Sequence, residues 1–193
     1  MALSTGSNKI KTAVFISGKG SNLYSLIKFS KLKKSPITID LIISDNADSK
    51  GLKFAKIFNI KKKVFNFKKK SLTENKIFLE IKKNKIDLIC LAGFMKILSN
   101  TFIKNFNGKI LNIHPSLLPK FKGLNTHQRA IKNNEKYSGC TVHIVNAKLD
   151  SGEIILQKKV KIRKFDTPKT LAKKILVQEH RLYPQAILKI FNL

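Results

Sequence analysis

The sequence predicts an α/β protein with an open twisted sheet that is mostly parallel, helices on both faces, and an antiparallel part towards the carboxyl terminus. Short, almost continuously apolar runs alternate along the chain with longer stretches in which apolar residues recur at helical spacing. This is the pattern of a parallel sheet covered on both faces. Near the end of the chain, two segments with period-two alternation are joined by a short loop, which favours an antiparallel pair.

The first two thirds of the chain alternate strand and helix. A capping-box pattern at Ser71-Leu72-Thr73-Glu74 predicts where the third helix begins. Right-handed crossovers between parallel strands then bring the carboxyl ends of the strands to one edge of the sheet. The predicted strands cover residues 10–16, 37–43, 63–67, 88–94 and 109–114, and the predicted helices start near residue 21, at residue 52 and near residue 71.

The last third of the chain predicts a short helix over 126–133, strands over 140–145 and 153–162, and a long final helix. Asp166-Thr167-Pro168 supplies the N-cap of that helix, with proline in its first turn. Pro184 is expected to kink or break the helix, because proline lacks the N–H that the helix needs.

Length and composition predict one domain over residues 10–193, preceded by a disordered tail over 1–9. The tail has no apolar core of a signal peptide, and no run approaches the roughly 18 apolar residues of a membrane span, so a cytoplasmic protein is expected. Cys90 and Cys140 lie in apolar runs without a neighbouring ligand at metal spacing, and both are expected to be reduced and buried.

The net charge of +28, from 39 Lys and Arg against 11 Asp and Glu, is the most unusual global property. Such a charge by itself suggests a nucleic-acid partner. However, nearly all of it comes from lysine, scattered without an aromatic or arginine-rich recognition motif. The preferred interpretation is therefore that these lysines form a solvated surface. The alternative is that the chain is a Lys-rich nucleic-acid-binding protein and not an enzyme.

Three polar segments fall at predicted carboxyl ends of strands, where open α/β sheets bind ligands: the glycine turn at 18–20, residues 92–95 and residues 112–114. Asn112 and His114 are two apart, so on a strand they project to the same side. The pair alone equally fits a turn that satisfies its own hydrogen bonds.

Five motifs, in the same order along the chain, closely resemble the phosphoribosylglycinamide formyltransferases, also called glycinamide ribonucleotide transformylases, of purine synthesis. They are residues 17–22 (Ser-Gly-Lys-Gly-Ser-Asn), 91–98 (Leu-Ala-Gly-Phe-Met-Lys-Ile-Leu), 112–119 (Asn-Ile-His-Pro-Ser-Leu-Leu-Pro), 121–127 (Phe-Lys-Gly-Leu-Asn-Thr-His) and 149–152 (Leu-Asp-Ser-Gly). The resemblance covers nearly the whole chain and implies the Rossmann-like formyltransferase fold.

The resemblance implies that a formyl group passes from 10-formyltetrahydrofolate, a co-substrate, to the amine of glycinamide ribonucleotide, without a metal. It also implies that Asn112, His114 and Asp150 are catalytic. Formyl transfer passes through a tetrahedral centre bearing an oxyanion, which an amide donor can stabilise and for which a histidine can carry protons. Without the resemblance, Asp150 would be interpreted as a turn-forming residue.

The glycine turn ends a strand and opens a helix, and free N–H groups in such a turn form an anion site. By resemblance the turn holds the nucleotide phosphate, while Glu179 contacts the ribose. Lys19 stands where the family often has asparagine, and the extra cation is compatible with a phosphate. The residues assigned to the phosphate and ribose are Gly18, Lys19, Gly20, Ser21, Asn22 and Glu179.

The folate is expected beside the segment after the fourth strand, which lines the pteridine pocket in the family. Lys96 stands where the family has an arginine near the glutamate tail, so the charge is kept and bidentate geometry is lost. Lys70 corresponds to a basic, phosphate-contacting residue and is counted on the folate side. Thr141 and His143 share one strand face and are expected to support the folate pocket or the Asp150 loop, and core packing is an equal alternative for them. The residues assigned to the folate are Lys70, Met95, Lys96, Ile97, Leu98, Thr141 and His143.

Two related enzymes share the Asn-x-His and Asp arrangement. Methionyl-tRNA formyltransferase relies on an additional carboxyl-terminal domain, and formyltetrahydrofolate hydrolase usually has His-His-Ser where this chain has His114-Pro115-Ser116. Both fit less well than the glycinamide ribonucleotide enzymes, and the hydrolase stays as the alternative enzyme. The expected partners are the two small-molecule substrates, with the chain as a monomer or homodimer.

Overall fold

A computed structural model describes residues 9–192 as helices packed around one seven-stranded sheet. The predicted tail over 1–9 lies, apart from Lys9, outside the described residues. The strands are β1 (Ile10–Ile16), β2 (Ile37–Ser44), β3 (Lys61–Val64), β4 (Leu88–Leu91), β5 (Lys109–His114), β6 (Tyr137–Ile144) and β7 (Ile154–Lys161). Their order across the sheet is β3-β2-β1-β4-β5-β6-β7, with parallel pairing from β3 to β5 and antiparallel pairing of β5 with β6 and of β6 with β7. The predicted fold class is confirmed.

Two apolar cores cover the two faces of the sheet. Helices α1 and α6 pack together over one face, while α3 and α4 contribute Ile77 and Phe102 to the core on the other. The helices are α1 (Ser21–Ser30), α2 (Lys53–Ile57), α3 (Lys70–Lys83), α4 (Asn100–Asn105), α5 (Thr126–Lys132) and α6 (Pro168–Ile190). Short 3₁₀ helices at Lys50–Leu52 and Phe67–Lys69 precede α2 and α3.

The third predicted strand and its helix are displaced from their predicted positions. Strand β3 begins at Lys61 because it is an edge strand whose residues are all exposed, so it needs no apolar pattern. The capping box is wrong. Helix α3 already begins at Lys70, and its start follows a 3₁₀ turn capped by Asn66, while Glu74 accepts a hydrogen bond from the backbone of Ser99 at 2.8 Å.

Helix α6 begins as expected, with Thr167 as its N-cap in a capping box, and contains Pro184 without ending there. A residue at 184 with an N–H would donate to the carbonyl of His180, four residues earlier. The hydroxyl of Ser25, on α1, donates to that carbonyl at 2.8 Å instead. A neighbouring helix thus satisfies the carbonyl that the proline leaves free, and the predicted break does not occur.

The chain reverses its direction of travel across the sheet at β1, which lies between β2 and β4. Ligands of open α/β sheets bind at such a switch point, outside the carboxyl ends of the strands. Here the turn after β1 is joined to the segment after β4, because the N–H of Ser17 donates to the carbonyl of Gly93 and the hydroxyl of Ser17 accepts from the N–H of Met95. These contacts bring the glycine turn against the edge where β4 and β5 end.

Both cysteines are reduced and buried, as expected, and burial raises the pKa of each thiol to about 12. Within the part of the chain that the structure describes, no helix is both long enough and apolar enough to cross a membrane.

Candidate active site

A cleft of about 520 Å³ opens at the carboxyl ends of β4 and β5. Its walls come from the segment after β4, the loop at 123–127, the loop at 145–150, and two side chains from the glycine-turn side, Asn22 and Glu179. A volume of this size is ordinary for a small-molecule site. Asn112, His114 and Asp150, predicted from two distant segments, all line it.

Strand β5 presents Asn112 and His114 to the cleft from one side, as their two-residue spacing predicts. The antiparallel ladder sets their neighbours, since Asn112 lies opposite His143 and His114 lies opposite Thr141 in β6. Thr141 is fully buried, and its hydroxyl donates to the carbonyl of Ser116 at 2.7 Å, which anchors the segment that follows His114.

The Asp150 loop is held against β6 by a close backbone approach at Gly152. A Cβ at position 152 would lie 1.7 Å from the carbonyl oxygen of Ile144, so only glycine fits there. Asp150 itself has a φ of 44°, in the left-handed region that aspartate tolerates better than most residues. The Leu-Asp-Ser-Gly motif therefore has a geometric reason: its glycine lets the loop close, and its aspartate turns into the cleft.

Asp150 has polar neighbours on several sides. Its Oδ2 accepts from the N–H of Gly123 at 2.8 Å and lies 3.3 Å from Nδ1 of His114, while its Oδ1 is 3.4 Å from Nδ2 of Asn112 and 3.6 Å from Nε2 of His143. Burial alone would raise the pKa of Asp150, but the N–H of Gly123 and the positive charge that His114 can carry outweigh it, and the pKa is lowered. Asp150 is therefore a carboxylate at neutral pH.

His114 is buried, and both of its ring nitrogens face acceptors. Nε2 lies 2.9 Å from the carbonyl oxygen of Phe121 and Nδ1 faces Asp150. Only the protonated ring can donate from both nitrogens. Burial opposes that charge and lowers the pKa of His114, although the Phe121 carbonyl and the Asp150 carboxylate act in the other direction. The Asp150 carboxylate can therefore accept a hydrogen bond from a second ring proton. Burial of the ring makes that proton easy to release.

His143, which the sequence assigns to the folate side, lines the cleft and is 2% exposed. Its Nε2 is 3.2 Å from Nδ2 of Asn112, and its Nδ1 is 2.8 Å from the carbonyl oxygen of Ile144. His143 thus forms part of the polar cluster around Asn112 and Asp150. The two-residue spacing of Thr141 and His143 was the sequence signal that placed His143 at the folate pocket or the Asp150 loop.

The glycine turn forms as predicted between β1 and α1. The carbonyl of Gly18 accepts from the N–H of Gly51 and from the hydroxyl of Ser49, at 2.9 and 2.7 Å, which fixes the turn. Gly20 is the N-cap of α1, with a left-handed φ of 72°, and no side chain caps the helix there. Since uncapped N–H groups at a helix start favour an anion, the turn suits a phosphate.

Asn22 and Glu179 connect the glycine turn with the cleft. Nδ2 of Asn22 donates to Oε2 of Glu179 at 2.7 Å, and both side chains are buried. Oδ1 of Asn22 is also buried, and within the described residues it has no hydrogen-bond partner. Burial raises the pKa of Glu179, and the single bond from Asn22 only partly offsets this.

Four of the residues assigned to the folate, Met95 to Leu98, line the cleft together, and Nζ of Lys96 lies 3.6 Å from Oδ2 of Asp45. Two others lie elsewhere. Lys70 begins α3 and borders a separate surface depression with Phe78 and Asn105. Thr141 packs beneath the segment at 116–118, so its side chain does not reach the cleft. The structure therefore does not bring Lys70 and Thr141 together with the other residues assigned to the folate, and their assignment stays a prediction.

The backbone groups of Phe121 and Gly123 were not among the predicted site residues, although they contact His114 and Asp150. Both residues have positive φ values, 57° and 76°. The glycine was the only sequence signal for this turn, and a backbone contact leaves no side-chain pattern to detect. Among residues 9–192, no group of three or more His, Cys, Asp or Glu side chains could hold a metal ion.

The chain matches the family model described as formyl transferase over residues 10–187. It is 44% identical over 180 residues to a phosphoribosylglycinamide formyltransferase of Haemophilus influenzae, covering 92% of this chain and 85% of that protein. A crystal structure of the phosphoribosylglycinamide formyltransferase from Brucella melitensis superimposes with a TM-score of 0.89 at 44% identity, covering 95% of this chain and 96% of that one.

A human relative named trifunctional purine biosynthetic protein adenosine-3 is 43% identical over 182 residues. The match covers 93% of this chain and only 18% of that longer protein. The similarity to the trifunctional relative therefore concerns one part of it.

Proposed function

The chain belongs to the formyl transferase family, as a phosphoribosylglycinamide formyltransferase of purine biosynthesis, and on that premise we propose that it transfers the formyl group of 10-formyltetrahydrofolate to the amine of glycinamide ribonucleotide. The observation that carries the proposal is the convergence of Asn112, His114 and Asp150 on one cleft, beside a turn suited to a phosphate.

The amine attacks the formyl carbon as the free base, with no covalent enzyme intermediate. A carbon–nitrogen bond forms and the formyl oxygen becomes an oxyanion. The bond from the carbon to N10 of the folate then breaks, and the proton lost by the amine ends on N10. Atoms and charges balance without a further reactant.

Three side chains have separate parts in this reaction. Asn112 donates an N–H to the oxyanion, a kind of contact whose loss costs roughly 10²–10³ in rate. His114 carries the proton, because its Nδ1 faces a carboxylate that stabilises the charged ring. Asp150 stays ionised beside it and fixes the orientation of the ring.

The two substrates enter from opposite ends of the cleft. The nucleotide phosphate binds at the glycine turn, with Gly18, Lys19, Gly20 and Ser21 around it, and the ribose reaches Asn22 and Glu179. The folate lies along Met95 to Leu98, whose side chains are apolar except that of Lys96. This arrangement is supported by the lining of the cleft, in which Asn22 and Glu179 face the same space as Asn112 and His114.

A single assay tests the function. Purified protein is mixed with 10-formyltetrahydrofolate, with and without glycinamide ribonucleotide, and deformylated folate is followed optically. Folate release that requires the amine, with one formylated product for each folate released, is the expected result. Folate release at the same rate without glycinamide ribonucleotide would identify a formyltetrahydrofolate hydrolase instead. Binding to DNA with a steep salt dependence and no turnover would identify a Lys-rich nucleic-acid-binding protein. We propose the cytoplasm as the place of the reaction.

A further inference from the structure

The ring of His143 is held in one tautomer by its own strand. Nδ1 lies 2.8 Å from the carbonyl oxygen of Ile144, which can only accept a hydrogen bond. Nδ1 therefore carries a proton. In the uncharged ring, Nε2 is then left as an acceptor, and the ring cannot rotate away because it is 2% exposed and packed beside Gly152.

The acceptor at Nε2 faces the amide of Asn112, across the β5–β6 ladder, at 3.2 Å from Nδ2. The amide can meet an acceptor only with its nitrogen. Asp150 makes the same demand, since its carboxylate Oδ1 lies 3.4 Å from Nδ2. Two acceptors thus require the nitrogen of Asn112, and not its oxygen, on this side.

One N–H of Asn112 serves both acceptors. Nδ2 of Asn112, Nε2 of His143 and Oδ1 of Asp150 form a triangle with sides of 3.2, 3.4 and 3.6 Å. The two acceptors therefore subtend an acute angle at Nδ2, whereas the two N–H bonds of a planar amide diverge by an obtuse angle. A single shared N–H satisfies both contacts, and the second N–H stays available to the cleft.

We propose that His143 is a positioning residue that fixes the orientation of the Asn112 amide, so that one N–H remains for the developing oxyanion. With the amide reversed, its oxygen would face both acceptors, and the N–H group would be turned away from its present place. This inference rests on the proposed function, because the oxyanion arises in formyl transfer. His143 acts through Asn112 and does not itself contact the reacting atoms.

The test combines two substitutions at position 143 with a double-mutant cycle. His143→Leu removes the acceptor, and it is expected to lower kcat by about 10–100-fold while each KM stays within about threefold of wild type. His143→Gln can again offer an acceptor near the place of Nε2, and its kcat is expected within about fivefold of wild type. In an Asn112→Ala background, His143→Leu should lower kcat by less than about twofold more.

Three results would overturn the proposal: effects of His143→Leu and Asn112→Ala that multiply, a glutamine variant as slow as the leucine variant, or an unchanged leucine variant. His180→Gln is the control, because His180 is a half-buried histidine on α6 that does not line the cleft, and the kcat of the variant should equal that of wild type.

A measurement on the wild-type protein covers the case in which a variant does not fold. Nitrogen NMR of the His143 ring should find the proton on Nδ1, with Nε2 as an acceptor coupled to the Asn112 amide. A proton on Nε2 with Nδ1 bare would reject the proposal. If the wild-type protein does not transfer a formyl group, the proposed function is rejected. The tautomer measurement would still show which way the Asn112 amide is oriented.

Discussion

Two buried carboxylates, Asp150 and Glu179, line the same cleft, and their surroundings shift their pKa values in opposite directions. Asp150, beside the antiparallel strands, receives the Gly123 N–H and faces His114, so its pKa is lowered despite burial. Glu179, on the long final helix, receives one bond from Asn22, and burial raises its pKa. The difference assigns separate tasks. The Asp150 side can hold a charge through a reaction, whereas the Glu179 side offers polar atoms for binding a substrate.

The largest effect is expected from Asp150→Asn. The variant keeps an oxygen that can accept from Gly123 and a residue that tolerates a positive φ, so folding and folate binding should stay nearly intact. Loss of the charge beside His114 should lower kcat by at least about 100-fold. Steady-state turnover is compared with that of Asp48→Asn, an exposed aspartate outside the cleft, which should match wild type. Near-normal turnover of Asp150→Asn would contradict the separate roles assigned to Asp150 and Glu179.

A substitution that keeps Asp150 and moves its loop should act nearly as strongly. In Gly152→Ala, the added Cβ would lie 1.7 Å from the Ile144 oxygen, so the loop must shift. We expect about 1–3 kcal/mol less free energy of unfolding, and a loss of kcat that reflects the displaced carboxylate. Urea unfolding measures the free energy of unfolding, and steady-state turnover measures kcat.

Gly18→Ala is the control for stability alone. A Cβ at position 18 would meet no atom within 4 Å, so the free energy of unfolding should be unchanged or higher by less than about 1 kcal/mol. Equal stabilities of Gly18→Ala and Gly152→Ala would show that the loop accommodates the added methyl group.

Glu179→Gln tests the binding side. Its oxygen can still accept from Asn22, and its neutral side chain removes the cost of burying a carboxylate. At pH 8 the variant should be about 1 kcal/mol more stable than wild type. Because the raised pKa makes the wild-type carboxylate a cost only above its unfolded value of 4.5, this gain should vanish as the pH falls to that value.

The same variant should bind the nucleotide less well, because the proposed charge-assisted contact of Glu179 with the ribose would be weakened. We expect the KM for glycinamide ribonucleotide to rise roughly tenfold with kcat nearly unchanged. A fall in kcat without a change in KM would place Glu179 with the reacting groups and remove the contrast with Asp150.

The smallest effect concerns a histidine outside both regions. Burial lowers the pKa of His180, so the unfolded chain binds a proton there more readily than the folded chain. Stability should therefore fall as the pH drops below about 6.5, in the window between the unfolded and folded pKa values. His180→Gln should reduce this slope in urea unfolding measured from pH 7.5 to 5.5, and an unchanged slope would contradict the buried position of the ring.

The sequence predicted the parallel half of the fold well because its buried strands have apolar runs, as at residues 88–91. It misplaced β3, because the exposed edge strand carries lysines. It could not tell that the helix continues through Pro184, because the donor that replaces the missing N–H comes from Ser25 on another helix. Such compensation between distant elements has no local signal.

The candidate site could be predicted where side chains in motifs carry it, as for Asn112 and Asp150, which do line one cleft. The parts that depend on tertiary contacts could not. The Phe121 carbonyl reaches His114 only through a left-handed turn, and the role of His143 beside Asn112 depends on the register between β5 and β6.

The most direct test is the single-turnover rate of formyl transfer with both substrates saturating, measured for Asp150→Asn and Glu179→Gln against wild type. Saturation removes differences in binding and leaves the reaction step. We predict a rate at least about 100-fold below wild type for Asp150→Asn and within about threefold of wild type for Glu179→Gln. A wild-type rate for Asp150→Asn would contradict it, because the chemistry would then not depend on the carboxylate beside His114.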